Sequence, residues 1–381
     1  MILYSFIIPI ITCIILYIWF RRETVWWEYF VVFIPSVLGT LLIYWLFQYG
    51  RVVDTKYESY RIESIRHYDE WDEWVHKTCT RRIKTGKNSY ITQTYDCSYR
   101  NYHPEYWVMY TSDGRSERIS KENFDYYRNL WSSPMKFIEC NRRYYRIDGD
   151  AQEYNWPGDI KTLMTVSRSK EYSNYFQSSL SLYSMEEISK NEAKELGLYN
   201  YPKSEYDNYN NIWLYDQNPI ISDSLMFFTP SEFDRRCLWD LNCNSTDFRC
   251  FILLYPSEKY SSDIVDYQRS YWLGGNENEV VFCLGISKSG IIDWIRSFSW
   301  SSEARLESNV LSEILPGEEF IMSSLIDEIK KSYSTWKPIK FSDYSYISPE
   351  LYTSDYIWIF IITVLINLGL SWYVIVNEYK N

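Results

Sequence analysis

The stretch HKTCTRRIKTGKNSYITQTYDCSYRNYH, His76 to His103, holds two of the chain's three histidines and two of its eight cysteines. They run His76, Cys79, then Cys97, His103, in mirror order about a turn-forming TGKNS. Two thiolates and two imidazoles form a donor set for tetrahedral zinc, and His76-x2-Cys79 has the spacing of a zinc knuckle. The Cys97-x5-His103 interval is longer than usual, although Pro104 could fix the loop that returns the histidine. Four protein ligands leave no open position, so such a zinc would be structural and not catalytic. His67, in RHYDEWDEW, could replace one ligand. The same residues permit a second chemistry. In a β-hairpin, Cys79 and Cys97 are equidistant from Asn88 and lie opposite or nearly so, ready to form a disulfide in an oxidising compartment. A third reading is two packed thiols beside unrelated histidines. The concentration of histidine favours zinc, because a bridge gives no reason for His76 and His103 to be there.

Other groups carry weaker signals. Cys237, Cys243 and Cys250 lie close together without histidine partners, while Cys140 and Cys283 fall in apolar strands and read as core. Asp148-Gly149-Asp150, with Asp159 beyond, echoes a calcium loop, but the sixth position is Glu153 where glycine is required, so a hairpin turn is expected. DEWDEW, Asp69 to Trp74, reads as one wet and one packed face. GGNENE, Gly274 to Glu279, is a glycine loop entering a buried strand. No Gly-Lys-Ser/Thr follows, so it is a turn or a carboxylate–amide binding loop and not a phosphate loop. No Ser-His-Asp arrangement can be nominated, since every histidine is N-terminal.

The elements that position these groups begin with apolar runs. Residues 2–20 and 29–47 carry no charge and are long enough to cross a bilayer as helices, as is 356–376. The first lacks a charged n-region and cleavage site, so it reads as a retained span. A short Arg21-Arg22 loop makes the first two a helical hairpin. The large domain then lies on the side of the N-terminus, and the Arg21-Arg22 loop and C-terminal tail lie opposite. Positive charge in a very short loop favours the cytoplasm, which puts the domain outside it. Arg51, Lys56, Arg61, Arg66, Lys337 and Lys340 on the domain side count against this, but long segments translocate largely regardless of charge. Within the spans, Asn367, Ser36, Gly39 and Thr40 read as helix–helix packing with an amide as glue.

Between the spans the expected fold is α+β. Residues 51–198 read as a β-rich subdomain, 199–219 as a polar aromatic connection, and 220–345 as an α/β subdomain. Short strands and turn signals dominate the first part. Ser120 caps a helix carrying Phe124, Tyr127 and Leu130, and Ser184-Met185-Glu186-Glu187 supplies a capping box for another ending at Gly197. FRCFILLYP and NEVVFCLGI are near-continuous apolar runs, as buried central strands require. GIIDWIRSFSW is their hairpin partner, and Phe320–Trp336 is a helix packed on the sheet through Leu325, Ile326 and Ile329.

Composition limits the partners. The chain has 39 basic against 50 acidic residues, a net charge of −11, and no basic block, which argues against nucleic acid. Seventeen Trp, 38 Tyr and 18 Phe make an aromatic content of 19%, suited to recognition.

The set WDEWVHKTC…YDCSYRNYHPEYW, RRYYRIDGD…EYNWPGD, DYQRSYWLGGNENEVVFCLGI and a last span ending WYVIVNEY resembles uncharacterised membrane proteins of Bacteroides tailed, crAss-like bacteriophages. The resemblance spans nearly the whole chain and implies a setting, a phage protein in a bacterial host's membrane, but no activity. Residues 250–330 are locally similar to the TPM domain, an α/β module often tethered to membranes. The expectation is a membrane-anchored binding protein with a protein partner in the host envelope and the lipid bilayer around its spans. The alternatives are a TPM-like membrane-bound hydrolase with acidic residues at Glu277 and Glu279, and a virion structural membrane protein.

Overall fold

The computed structural model describes residues 2–20, 26–84, 86, 90–139, 148–179, 188–202, 206–207, 212–213, 218–222 and 228–378. The chain forms two compact units, one of residues 1–56, 170–186 and 339–381, the other of residues 57–169 and 187–338. The Arg21-Arg22 loop, the turn at Asn88, Cys140 and the 184–187 capping box lie outside the described residues.

The first unit is built on helices α1 (Ile2–Phe20), α2 (Glu28–Val52) and α9 (Thr353–Glu378). Two of them, over Glu28–Val52 and Thr353–Val376, are long and apolar enough to cross a membrane; the described apolar stretch of α1, Ser5–Phe20, is shorter. Leu16, Val32 and Val374 are buried where the three helices meet. Between α2 and α9 the seam is small and polar. Asn367 Nδ2 donates to the Ser36 hydroxyl and to the Thr363 carbonyl, and the Thr40 and Thr363 hydroxyls are 3.2 Å apart. A Cβ on Gly39 would sit 3.4 Å from Ile366, so the small residues let the backbones approach while the amide bonds across. Arg51, ending α2, grips Asp355 near the start of α9 through Nη2 at 2.7 Å and Nε at 3.0 Å, and its guanidinium lies over the Tyr352 ring.

The second unit contains two main sheets. The larger has the order β11-β12-β10-β1-β6-β7, with β9 also on β1 and β8 on β9. Its strands are β1 (Val53–Tyr68), β6 (Tyr106–Thr111), β7 (Ser116–Ile119), β8 (Lys136–Ile138), β9 (Ala151–Asn155), β10 (Thr165–Ser173), β11 (Tyr206–Asp207) and β12 (Ile212–Trp213). Helix α3 (Lys121–Trp131), capped by Ser120 accepting from the Asn123 amide, buries Phe124, Tyr127 and Trp131 on Ile62, Ile65 and Met109. Arg168 crosses this sheet to Asp113 at 2.7 Å and Glu117 at 2.7 Å.

The smaller sheet has the order β13-β14-β15-β16. Strands β13 (Ile220–Ser222), β14 (Arg249–Pro256) and β15 (Glu279–Ile286) are parallel, and β16 (Ile292–Ser299) turns back antiparallel. The two apolar runs are its centre and are buried on both faces, as their composition requires. Ile252 and Leu254 face α5 (Glu232–Asn242), α7 (Arg305–Glu313) and α8 (Met322–Ser332); Phe251, Leu253 and Tyr255 face α4 (Lys190–Leu196) and α6 (Ile264–Tyr271). The period-2 alternation of strand side chains supplies both layers from one continuous run. Leu325, Ile326 and Ile329 are the buried stripe of α8, and Cys250 and Cys283 are core residues. Helix α4 ends at Gly197 with φ 75°, but its described cap is Ser189, which accepts from the Glu192 amide. Gly285 pairs with Trp294, and a Cβ there would lie 2.1 Å from the indole nitrogen.

Candidate functional site: a disulfide-tied arm

Strands β2 (Trp71–Val75) and β3 (Thr78–Lys84) run out from β1, and β4 (Tyr90–Asp96) and β5 (Tyr99–His103) run back to β6. The pairs Tyr68↔Tyr106, Trp71↔His103, Val75↔Tyr99 and Thr78↔Asp96 lie on one unbroken register, ending at Lys84↔Tyr90. One ribbon therefore extends the β1–β6 hairpin by roughly 45 Å, at about 3.3 Å per residue. Its composition suits a strand, with threonine at 78, 80, 92 and 94 on one face. At its base Asp69 N–H donates to the Asp150 carbonyl at 2.8 Å, and Gly149 is needed because a Cβ there would lie 1.9 Å from the Asp69 carbonyl oxygen. Asp148 accepts from the Tyr106 hydroxyl. The Asp-Gly-Asp motif is thus an irregular segment leading into β9 that buttresses the arm.

Cys79 and Cys97 are joined in a disulfide, with Cα atoms 5.8 Å apart. Cys79 lies opposite Tyr95, so the bridge is diagonal, two residues out of direct opposition. A bridged pair offers no thiolate, so neither cysteine can serve as a zinc ligand while the bridge stands. Of the two chemistries that the sequence allows for His76, Cys79, Cys97 and His103, the structure carries the Cys79–Cys97 disulfide. Among the described residues no group of three or more His, Cys, Asp or Glu side chains is arranged to hold a metal.

The histidines have a different explanation. Each packs on a tryptophan. His103 stacks on its cross-strand partner Trp71 with centroids 4.5 Å apart, His67 stacks on Trp107 at 5.3 Å, and His76 meets Trp74 edge-on at 6.5 Å. Two also face carboxylates: His103 Nε2 is 3.2 Å from Glu73, and His67 Nε2 is 2.9 Å from Glu105. Cross-strand aromatic pairs of this kind stabilise a two-stranded ribbon. Farther out, hydrogen bonds from the Ser98 hydroxyl and amide hold the Asp96 carboxyl below its ordinary range. At the base, burial and the hydrogen bond with Tyr68 push the Tyr110 phenol up to about 12.

Along the arm, side chains at Val75, Cys79, Ile83, Ile91, Tyr95, Cys97 and Tyr99 share one face by strand alternation. That face is uncovered: Ile83 is 39% exposed, Ile91 59%, Tyr95 44% and Tyr99 49%; it also carries Glu73 and Arg81, and the opposite face exposes Trp74, Tyr90 and Tyr102. Sequence reasoning missed this stripe, although the alternation in Tyr90-Ile91-Thr92-Gln93-Thr94-Tyr95 carries it.

The other candidate acids lie elsewhere. Glu279 is fully buried at the start of β15, where it accepts from the Tyr201 hydroxyl, the Asn276 amide at 2.9 Å and Asn276 Nδ2 at 2.9 Å. Leu273, Gly274 and Gly275 all have positive φ, so the glycine loop wraps the chain's own carboxylate. Its register partner Arg249, also buried, donates to Ser59 at 2.8 Å and Ser167 at 3.1 Å. The site where ligands approach an open α/β sheet is the opposite, carboxyl end of the parallel strands. A cleft of about 410 Å³ lies there, lined by Pro256, Glu258, Ile286, Lys288 and Phe320. The Lys288 amide, 2.7 Å from Glu258, holds that carboxyl below its ordinary value. Glu277 and Glu279 do not line this cleft; β15 separates its two ends by roughly 23 Å.

No family model, no curated protein and no solved structure matches the chain.

Proposed function

We propose that the protein is a membrane-anchored interaction protein that presents the disulfide-tied arm to a protein partner. The observation that carries the reading is the arm's uncovered face, where Ile83, Ile91, Tyr95 and Tyr99 lie on a ribbon whose register is fixed at mid-length by the Cys79–Cys97 bridge. Tyrosine gives large contact area at small entropic cost, and a covalently restrained ribbon has less freedom to lose on binding. In this reading α1, α2 and α9 are three spans, with α1 and α2 as a hairpin. The Arg21-Arg22 loop and C-terminus face the cytoplasm, and the large domain lies outside. The disulfide supports that orientation, since such bonds persist in oxidising compartments. The resemblance to phage-encoded membrane proteins supplies the setting, a bacterial host's envelope.

A photo-crosslinking residue at Tyr95 or Tyr99 of the full-length protein in host membranes tests the reading. Adducts should form at the arm and not at exposed Tyr126 on α3. Arm positions that yield nothing above the Tyr126 background would overturn it. The hydrolase alternative has less support, because Glu279 is buried in hydrogen bonds at the end of the sheet away from the cleft. The virion alternative predicts the chain in purified particles.

A further inference from the structure

The arm carries its charge unevenly. Its outer half, residues 77–84 and 90–97, holds Lys77, Arg81, Arg82 and Lys84 against Asp96 alone. Its base, residues 69–75 and 99–105, holds Asp69, Glu70, Asp72, Glu73 and Glu105 against Arg100 alone. By strand alternation Arg81 and Glu73 share the apolar face, while Arg82, Lys84 and Asp72 lie on the other; Glu73 meets His103 and keeps a side-chain exposure of 34%. The disulfide sits near the boundary between the halves, and the apolar face runs through both. Strands β3 and β4 pair only with each other, and β2 only with β5, among the described residues.

We propose that the arm's partner is the arm of a second copy of this chain, laid antiparallel across it on the apolar face. A two-fold axis near the disulfide sets each basic outer half against the acidic base of the other arm, which makes the surface self-complementary as an isologous contact requires. A parallel arrangement would set like charge against like charge along the whole length and is excluded by the same distribution. Two ribbons of roughly 45 by 10 Å bury about 900 Å² in total, below the range of stable interfaces and in that of weak, transient ones. Such a contact is weak between free molecules and is favoured where both copies are held at high local concentration, as anchoring in one membrane provides. The proposal rests on the interaction reading above and names the partner for the same surface.

The test uses the full-length protein in membranes with the photo-crosslinker at Tyr99. An adduct of twice the chain mass is expected. Its charge logic is then read with an outer variant (Arg81→Glu) and a base variant (Glu73→Lys), both on the apolar face by strand alternation, each checked for the Cys79–Cys97 bridge by mass. Either variant alone should lose the self-adduct at least ten-fold. Mixing the two should restore it, since every reversed charge then meets its opposite. A self-adduct that the mixture does not rescue overturns the antiparallel, charge-matched arrangement. An adduct of any other mass overturns the second-copy proposal while the interaction reading stands. No adduct overturns both.

Discussion

Breaking the Cys79–Cys97 bridge should loosen the arm and leave the body of the protein folded. The bridge closes a loop of sequence separation 18. Chain-entropy arguments give a loop of that length a stabilisation of about 3 kcal/mol. The ribbon it restrains buries almost nothing: every residue of β4 is exposed, as are all of β3 except Cys79. An isolated two-stranded hairpin is only marginally stable in water. The bridge therefore supplies most of the outer arm's stability, and its loss should raise the local opening constant by about 100-fold. The body draws its stability from the buried clusters around β14, β15 and α3, to which the outer arm contributes no member. The assay is amide hydrogen exchange on the full-length protein before and after reduction, with the Cys79→Ser, Cys97→Ser double variant beside it. Peptides covering 78–96 should lose protection while those of β14 and β15 keep theirs. Unchanged exchange over 78–96, or a fall in protection at β14 and β15 of the same size, would refute the reasoning.

Four further outcomes follow from single contacts. Arg249→Ala should destabilise the larger unit by about 1–3 kcal/mol, because it removes the bonds to the buried Ser59 and Ser167 hydroxyls and the packing on Phe251, while Arg249→Met should cost less by keeping the packing; denaturant unfolding compares the two. Gly285→Ala, forced against Trp294, should cost about 1–3 kcal/mol by overpacking, and Gly285→Ala with Trp294→Phe should recover part of it in the same assay. Asp113 is held below the ordinary carboxylate range: burial pushes its pKa up, but the Thr111 hydroxyl and Arg168 outweigh it. A depressed folded value contributes stability that is present above about pH 4, the unfolded value, and lost as pH falls through the folded one. The melting-temperature gap between the wild type and Asp113→Asn should therefore be full at pH 6 and shrink below pH 4; a gap that does not change with pH contradicts this. Asn367→Leu should weaken the α2–α9 seam by about 1 kcal/mol, read as helix association in a bilayer.

Several features follow from local residue order alone. Apolar length makes 28–52 and 353–376 membrane-length helices, because backbone groups in an apolar surround must bond within their own segment. Continuous β-branched and aromatic runs make β14 and β15 central strands, since only a strand buried on both faces can hide every side chain. Asn367 as an amide between helices follows from its position among small residues. The meaning of the histidines does not. Metal-ligand spacing and cross-strand stacking place the same residue types at the same intervals, and only register separates them. The structure sets His103 on Trp71 and His67 on Trp107, and spends both arm cysteines in a bridge. Glu279 is a similar case: an acid in a glycine loop reads as a ligand site until the fold brings Tyr201 and Asn276 onto it. The arm itself was written in the alternation of residues 78–96, but alternation is silent on whether the apolar face meets a core. That depends on what the rest of the chain packs beside it, and along the outer arm β3 and β4 stay exposed among the described residues.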